Sequence, residues 1–473
     1  MEPITREEYY LAKIAGTYEG KTPKPVTNDE YYLATMAGDY SGNTPQPVTR
    51  LQYYMAKVAG VWDGSIPAPV TRLEYYWAAI ANGEGTVFPP VTREEHFLVL
   101  VADAYSVVLT VVTGNPALLE NSKGNRGLES LTLYGKSTQG STPSPSYPQE
   151  IENAGQSGEI GVQVYGGNLF DIRKASPWED AYGLQMSLDG EYITVKGVTT
   201  TTRYGNISFR ILGYPVNLYG NRFSLDIVKN VGTSKEYVYT SATENALALS
   251  VVVDAKAAVE LKFRLMVNAG STALPYEPYK PAQKLIIPTP NGLPGIPVSS
   301  GGNYTDEKGQ QWVADEIDFK KGVYVQRIGK KTITSKDAFF KSGLSTDDVN
   351  YFGLNNFFVH IGTRGEKDVL MSNCFVAGIY QNFGALGKIF LGSASGNVIY
   401  FSVDAQKYPD TETFKQWAVE NGLMFLYQLA DIVETHLTAE ELSAYKTLRT
   451  YSPTTTVIND AGAGMSVGYA KMK

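Results

Sequence analysis

Three histidines, one cysteine and one knot of acids are the side chains from which chemistry could be built. His96 lies in "REEHFL", His360 in "FFVHIG" and His436 in "ETHLT", and Cys374 has no second cysteine to meet. No HExxH, CxxC or GxSxG spacing gathers these groups, so neither a zinc site nor a catalytic triad is expected. His96 stands where earlier copies of a repeat carry tyrosine, and it reads as a core or interface packing residue. The acids are Asp315, Glu316 and Asp318 in "WVADEIDF". In a strand, Glu316 and Asp318 would share a face about 7 Å apart. That separation suits an inverting glycosidase pair. Catalytic carboxylates usually come from different elements lining a cleft, so the two acids are read as lying on a solvated strand face. "TDEKG" is too short for an EF-hand loop, and no phosphate-cradling glycine loop occurs. The expectation is a protein without catalytic residues, metal ligands or cofactors.

Binding is the other chemistry on offer. Tyrosine is abundant, with 33 Tyr against 18 Phe and 5 Trp. It buries area while keeping a hydrogen-bonding end, which suits interfaces and sugar contacts. Trp178 and Tyr182 in "ASPWEDAYG", with Tyr204, sit near turns and are the candidate glycan contacts, against ordinary loop packing as the alternative.

The elements that must position such residues are bounded by composition. A chain of 473 residues with 43% hydrophobic and 19% charged residues has ample material for several cores. A net charge of −7 gives no support to a nucleic-acid partner held through phosphates. A single cysteine rules out an intrachain disulfide framework. The opening "MEPITREEYY" lacks an apolar signal core, and the stretch Phe97–Val112 carries Asp103 and is too short to span a bilayer. The expectation is a soluble protein without membrane insertion, one that leaves the cytosol, if at all, by a route other than secretion.

The first hundred residues are a repeat. "PITREEYYLAKIAG", "PVTNDEYYLATMAG", "PVTRLQYYMAKVAG", "PVTRLEYYWAAIAN" and "PVTREEHFLVLVADAY" follow one another, with Thr5, Thr27, Thr49, Thr71 and Thr92 in register. Each threonine can cap a helix, and Glu8, Glu30, Gln52, Glu74 and Glu95 complete a capping box three residues on. Gly16, Gly38 and Gly60, then Asn82, are stop signals. Such short helices are marginal alone. Tyr9, Tyr10 and the aliphatic residues after them, like Tyr31, Tyr32, Tyr53, Tyr54, Tyr75 and Tyr76 in later copies, cover most directions around each helix. The helices therefore need covering on several sides. The repeats read as an assembly device that packs on other chains or docks on a host particle. A self-contained helical domain is the alternative.

Beyond residue 104 the periodicity becomes that of strands. The expected fold is mainly β with the N-terminal helical repeats, jelly-roll-like β-sandwich modules and a small α/β C-terminal end. The expected divisions are 1–104, the repeats; 105–158, a strand pair and a Pro/Ser/Gly-rich connector; 159–280, a β-sandwich opening with "IGVQVYG"; 281–404, a second β-rich domain including "FFVHIG"; and 405–473, the α/β end.

The unit "P-V-T-R-x-E-Y-Y-L-A-x-x-A-G" resembles N-terminal repeats in head-fibre and tail-fibre proteins of phages infecting Gram-positive gut bacteria. "STPSPSYPQEIENAG", "GNLFD", "YEPY", "GIPVSSGGNYTDEKGQQWVADEIDFKKGVYVQRIG" and "LTAEELSAYKTLRTYSPTTTVINDAG" resemble modules of the same structural proteins. The resemblance implies a virion protein assembled in the host cytoplasm. Its N-terminal part would attach to baseplate, tail or capsid proteins, with the tail slightly favoured over the head. Its distal part would bind a bacterial surface glycan. Such fibres are usually homotrimers, although no long heptad or collagen-like shaft occurs in this sequence. The other readings are a capsid fibre or decoration protein and a virion-associated glycan-degrading enzyme.

Overall fold

A threonine before each helix accepts a hydrogen bond from the backbone three residues on, and this fixes where the chain begins to coil. The computed structural model describes residues 2–82, 88–105, 107–174, 176–177, 183–200, 205–212, 222–241, 246–355, 369–378, 385–392 and 398–472. The repeats form α1 (Arg6–Ile14), α2 (Asn28–Met36), α3 (Arg50–Val58), α4 (Arg72–Asn82) and α5 (Arg93–Tyr105). In α1 the Thr5 hydroxyl accepts from Glu8 N at 3.2 Å, while the Glu8 carboxylate accepts from Ile4 N at 2.7 Å and Thr5 N at 3.3 Å. Thr27, Thr49, Thr71 and Thr92 cap their helices in the same way. The first three helices stop at Gly16, Gly38 and Gly60, with φ of +70°, +76° and +73°. A side chain at these positions would strain the backbone.

Each helix packs against the next, and α5 packs against α1. The five repeats therefore close into a ring within one chain. Leu11, Leu33, Met55, Trp77 and Leu98, with the alanines that follow Leu11, Leu33 and Met55, fill its middle. Covering between chains is not needed to bury the helices, so the self-contained arrangement describes their packing. His96 is not a core residue. It is exposed, because α5 runs on toward a strand and no return connector lies over it.

The β body is assembled from distant parts of the sequence. One seven-stranded sheet places the last strand, Gly464–Met472, between Val107–Thr113 and Ser130–Tyr134, and continues through Glu316–Asp318, Val323–Thr332, Met424–His436 and Leu370–Ser372. A four-stranded sheet orders Gln283–Pro288, Glu159–Gly166, Thr454–Asn459 and Ala117–Glu120. Leu131, Leu133, Ile160, Val162, Val457 and Met465 pack between the two. The helix α7 (Ala439–Thr447) lies against them, with Tyr445 donating to Leu128 O at 2.8 Å.

Two units are inserted into this body. Between Gly166 and Gln283 lies an antiparallel sandwich of two four-stranded sheets, whose core includes Leu184, Ile193, Val195, Leu261, Phe263 and Leu249. Between Thr332 and Met424 lies a five-stranded sheet (Phe339–Lys341 to Val398–Asp404) with α6 (Thr411–Glu420) on it. Phe414 of α6 stacks on Phe352 with centroids 5.0 Å apart.

The architecture is mainly β with N-terminal helices, as expected. The division at 280/281 falls between the sandwich's last strand, Ala258–Asn268, and the body strand Gln283–Pro288, whereas those at 158/159 and 404/405 do not follow the sheets, because strand pairing joins residues hundreds of positions apart. "IGVQVYG" belongs to the body sheet, beside Gln283–Pro288 and Thr454–Asn459, and not to the sandwich. "FFVHIG", with His360, lies outside the described residues.

Met465 is fully buried where the two body sheets meet. Met465→Ala should lower stability by about 2–5 kcal/mol, read in a denaturant titration. Loss of near-UV signal from the body should precede loss of the ring's helical signal.

Candidate functional site

Position N1 of four repeat helices is an arginine, and position N3 of four is a glutamate. A helix N-terminus favours the acid there and leaves the arginine free to reach sideways. The structure joins them across neighbours. Arg6 Nε reaches Glu30 at 2.6 Å, Arg50 reaches Glu74 at 3.3 Å and Arg72 reaches Glu95 at 3.0 Å. Arg93 then reaches back to Glu8 at 3.0 Å and closes the ring. The glutamate side chains keep only 4–9% exposure, so each carboxylate needs these partners.

The fifth joint, α2 to α3, is neutral on both sides. Asn28 stands where the others carry arginine, and Gln52 where they carry glutamate. Gln52 donates instead to Asp29 Oδ1 at 2.8 Å. The two departures occur at the same joint, so neither leaves a buried charge alone.

The arginines also hold the return connectors. Arg72 donates to Pro89 O at 3.0 Å, and Arg6 and Arg50 donate to the equivalent Lys24 O and Ala68 O. For Arg93 the acceptor is Glu2 O at 2.8 Å, so the residues before α1 serve as the fifth connector. The second tyrosine of each pair is buried and donates to its own connector: Tyr10 to Pro23 O, Tyr32 to Pro45 O at 2.7 Å, Tyr54 to Pro67 O and Tyr76 to Phe88 O at 2.7 Å. The first tyrosine packs edge-on against a connector ring: Tyr9 on Tyr18, Tyr31 on Tyr40, Tyr53 on Trp62 and Tyr75 on Phe88. After α5 no connector follows, and there the pair becomes His96 and Phe97, without the phenol groups.

The arginine partners hold the Glu8 and Glu30 carboxyls below the ordinary range, and the Val70 amide leads the same effect at Glu74. Glu95, held by Arg72, is lowered to about 2. At the opposite ends of the helices the body takes over. Lys123 Nζ donates to Ile80 O at 3.2 Å, and Arg126 donates to Asn82 O at 3.1 Å. Cations there complement the negative end of α4. Burial, then the Arg126 charge, pulls Lys123 down to about 8.

A second site lies in the sandwich insertion. The segments "GNLFD" and "YEPY" meet through buried Asn168, whose Nδ2 donates to Glu277 O at 2.9 Å and whose Oδ1 accepts from Phe170 N at 3.0 Å. They border a cavity of about 310 Å³ lined by Asp171, Arg173, Glu191, Tyr276 and Tyr279, among others. Arg173 pairs with Asp171 at 2.8 Å and lies 5.5 Å from the Tyr279 ring centre. Arg264 lies 4.2 Å from the Tyr276 ring centre, and burial followed by the Glu191 charge pushes the Tyr276 phenol up to about 12. Two phenol rings beside two carboxylates and a guanidinium can stack on a pyranose and bond its hydroxyls.

Other candidates fall differently. Trp178, Tyr182 and Tyr204 lie outside the described residues. Glu316 and Asp318 are not on a solvated face, since they are 7% and 9% exposed. The strand is interior to the seven-stranded sheet, and both acids have structural partners. Glu316 accepts from Asn303 at 3.1 Å and pairs with Arg327 at 3.4 Å; Asp318 accepts from Lys320 N and Lys321 N at 3.0 Å. Fully buried Asp315 accepts from Tyr324 Oη at 2.6 Å, Arg327 N at 2.7 Å and Ile328 N at 2.8 Å, tying down the bulge in Val323–Thr332. His436 is exposed, and Cys374 is buried. Among the described residues no group of three or more His, Cys, Asp or Glu could hold a metal, and no helix is long and apolar enough to cross a membrane. Compared with protein-family models, curated proteins and solved structures, the chain matches none.

The neutral joint gives a paired test. Gln52→Glu alone puts a buried carboxylate beside Asp29 and should cost about 1.5–3 kcal/mol, while adding Asn28→Arg should recover most of that loss. Thermal melting of the helical signal measures both. Acid should open the ring as well. The glutamates titrate below their ordinary values in the folded state, so their stabilisation is complete above that ordinary range and is lost as pH falls through the lowered values. Far-UV circular dichroism should show helix loss setting in below about pH 4.5 and continuing toward pH 2.

Proposed function

We propose that the chain is a phage virion fibre protein, docked on the particle through its N-terminal ring and presenting its β body to the host surface. The observation that carries this reading is the two-ended ring. Its N1 arginines and N3 glutamates are engaged in closure, its helix C-terminal end rests on the body, and its other end is left for a partner. The resemblance of the repeats and of the "GNLFD" and "YEPY" modules to phage structural proteins points the same way. Copies of the chain assemble through the body, as the trimeric habit of such fibres implies. The edge strand Val107–Thr113 supports this, because Val108, Leu109 and Val111 are 53%, 66% and 63% exposed and the strand carries no charge to deter pairing. The Asp171–Arg173–Tyr279 cavity is the glycan site of this reading, and its action is recognition without turnover.

Antibodies against the two ends test the orientation. On intact particles, antibody to the body should bind, and antibody to the ring should bind only after disruption. Particles that carry neither would overturn the assignment. On a glycan array, Tyr279→Ala should weaken binding about tenfold, the equivalent of about 1.4 kcal/mol from one lost stacking contact. Unchanged binding would remove the cavity from the account.

A further inference from the structure

One side chain in each repeat is left outside the packing of the ring. The residue before the capping threonine is Ile4, Val26, Val48, Val70 or Val91, and these are 73%, 70%, 74%, 69% and 75% exposed. Its amide donates to the N3 side chain, at 2.7–3.0 Å in all five repeats. Any residue except proline supplies that amide, and threonine would supply the same β-branching without exposing an apolar surface. An aliphatic residue here normally packs against N4 as a hydrophobic staple. In the first four repeats N4 is a tyrosine already engaged with its connector, so the aliphatic side chains remain uncovered. They form a rim at the helix N-terminal end, opposite the end held by Lys123 and Arg126. An exposed aliphatic side chain repeated at the same position of all five helices gives this end a regular set of apolar contact points.

The mouth inside the rim is charged on one side. Position N2 carries Glu7, Asp29 and Glu94 on the neighbouring helices α1, α2 and α5, but Leu51 and Leu73 on α3 and α4. The three acids lie close enough to repel. Glu7 and Glu94 are both raised, by burial first and then by neighbouring acids including Asp29. Like charges gathered beside an apolar rim complement a basic partner.

We infer that this end of the ring docks on a protein assembly of five-fold rotational symmetry, one ring per axis. Each subunit receives one of the five aliphatic side chains, and a lysine or arginine near the axis faces Glu7, Asp29 and Glu94. The inference rests on the docking reading above and names the partner. Five equivalent contacts about 72° apart match a cyclic pentamer, whereas a three-fold or six-fold partner leaves most of them out of register. Because the ring closes within one chain, each copy carries a complete face, and where the body joins three copies one of the three rings sits on the axis.

The test is cryo-electron microscopy of the phage particles, reconstructed without imposed symmetry. Wild-type protein should give density on the five-fold axes. The variant Ile4→Thr, Val26→Thr, Val48→Thr, Val70→Thr and Val91→Thr, first checked for unchanged helical signal and melting, should lose at least about tenfold in occupancy, the effect of about 1.4 kcal/mol. Glu94→Gln should weaken occupancy more at low salt than at high salt. Density on a three-fold or six-fold structure, or occupancy indifferent to the five substitutions, would overturn the five-fold partner while leaving docking intact. Absence of the chain from the particle would overturn both.

Discussion

The arginine at N1 of one helix and the glutamate at N3 of the next form the joint on which the N-terminal half of the account depends. A capped nine-residue helix is marginal alone. The glutamate serves its own cap and its neighbour's arginine at once, so forming a helix and positioning the next become one event. Open repeat arrays need special end units to cover their exposed faces. Here Arg93 meets Glu8, and the residues before α1 act as a connector, so no end remains. The near-constant repeat length follows from that geometry, since each return connector must bring the next glutamate within reach of the preceding arginine.

Much of this was legible locally, and closure was not. Capping boxes and glycine stops are short-range signals, and they mark where the helices begin and end. Partnership between Arg93 and Glu8 spans 85 positions and has no local mark. A signal did exist in Asn28 and Gln52, which depart from the pattern together at one joint. The change to His96 and Phe97 similarly marks where the connectors end. Without the ring in view, all-round apolar helices read as surfaces for other chains, yet neighbours within the same chain cover them.

The β body shows the complementary limit. Strand periodicity after residue 104 marks that strands occur, but it does not name the partner of a strand such as Val323–Thr332 or Gly464–Met472. The body pairs its first strand with its last, so divisions drawn along the sequence cut through sheets. Two acids two residues apart in a strand read as a solvated face, whereas here both neighbouring positions in the sheet are filled. The cavity at "GNLFD" and "YEPY" was present only as two quoted phrases, and Asn168 is what joins them.

Closure within one chain is the central claim, and pulsed dipolar spectroscopy tests it most directly. Spin labels at Ile4→Cys and Val91→Cys would report on α1 and α5 from two exposed sites, while native Cys374 is buried and stays unlabelled. A closed ring holds these helices one packing distance apart, about 8–10 Å between axes, and an open arc separates them by roughly four such distances, about 32–40 Å. The account predicts a single short distance that persists when labelled protein is diluted with unlabelled protein. A long or broad distance, or a short one that disappears on dilution, would contradict it.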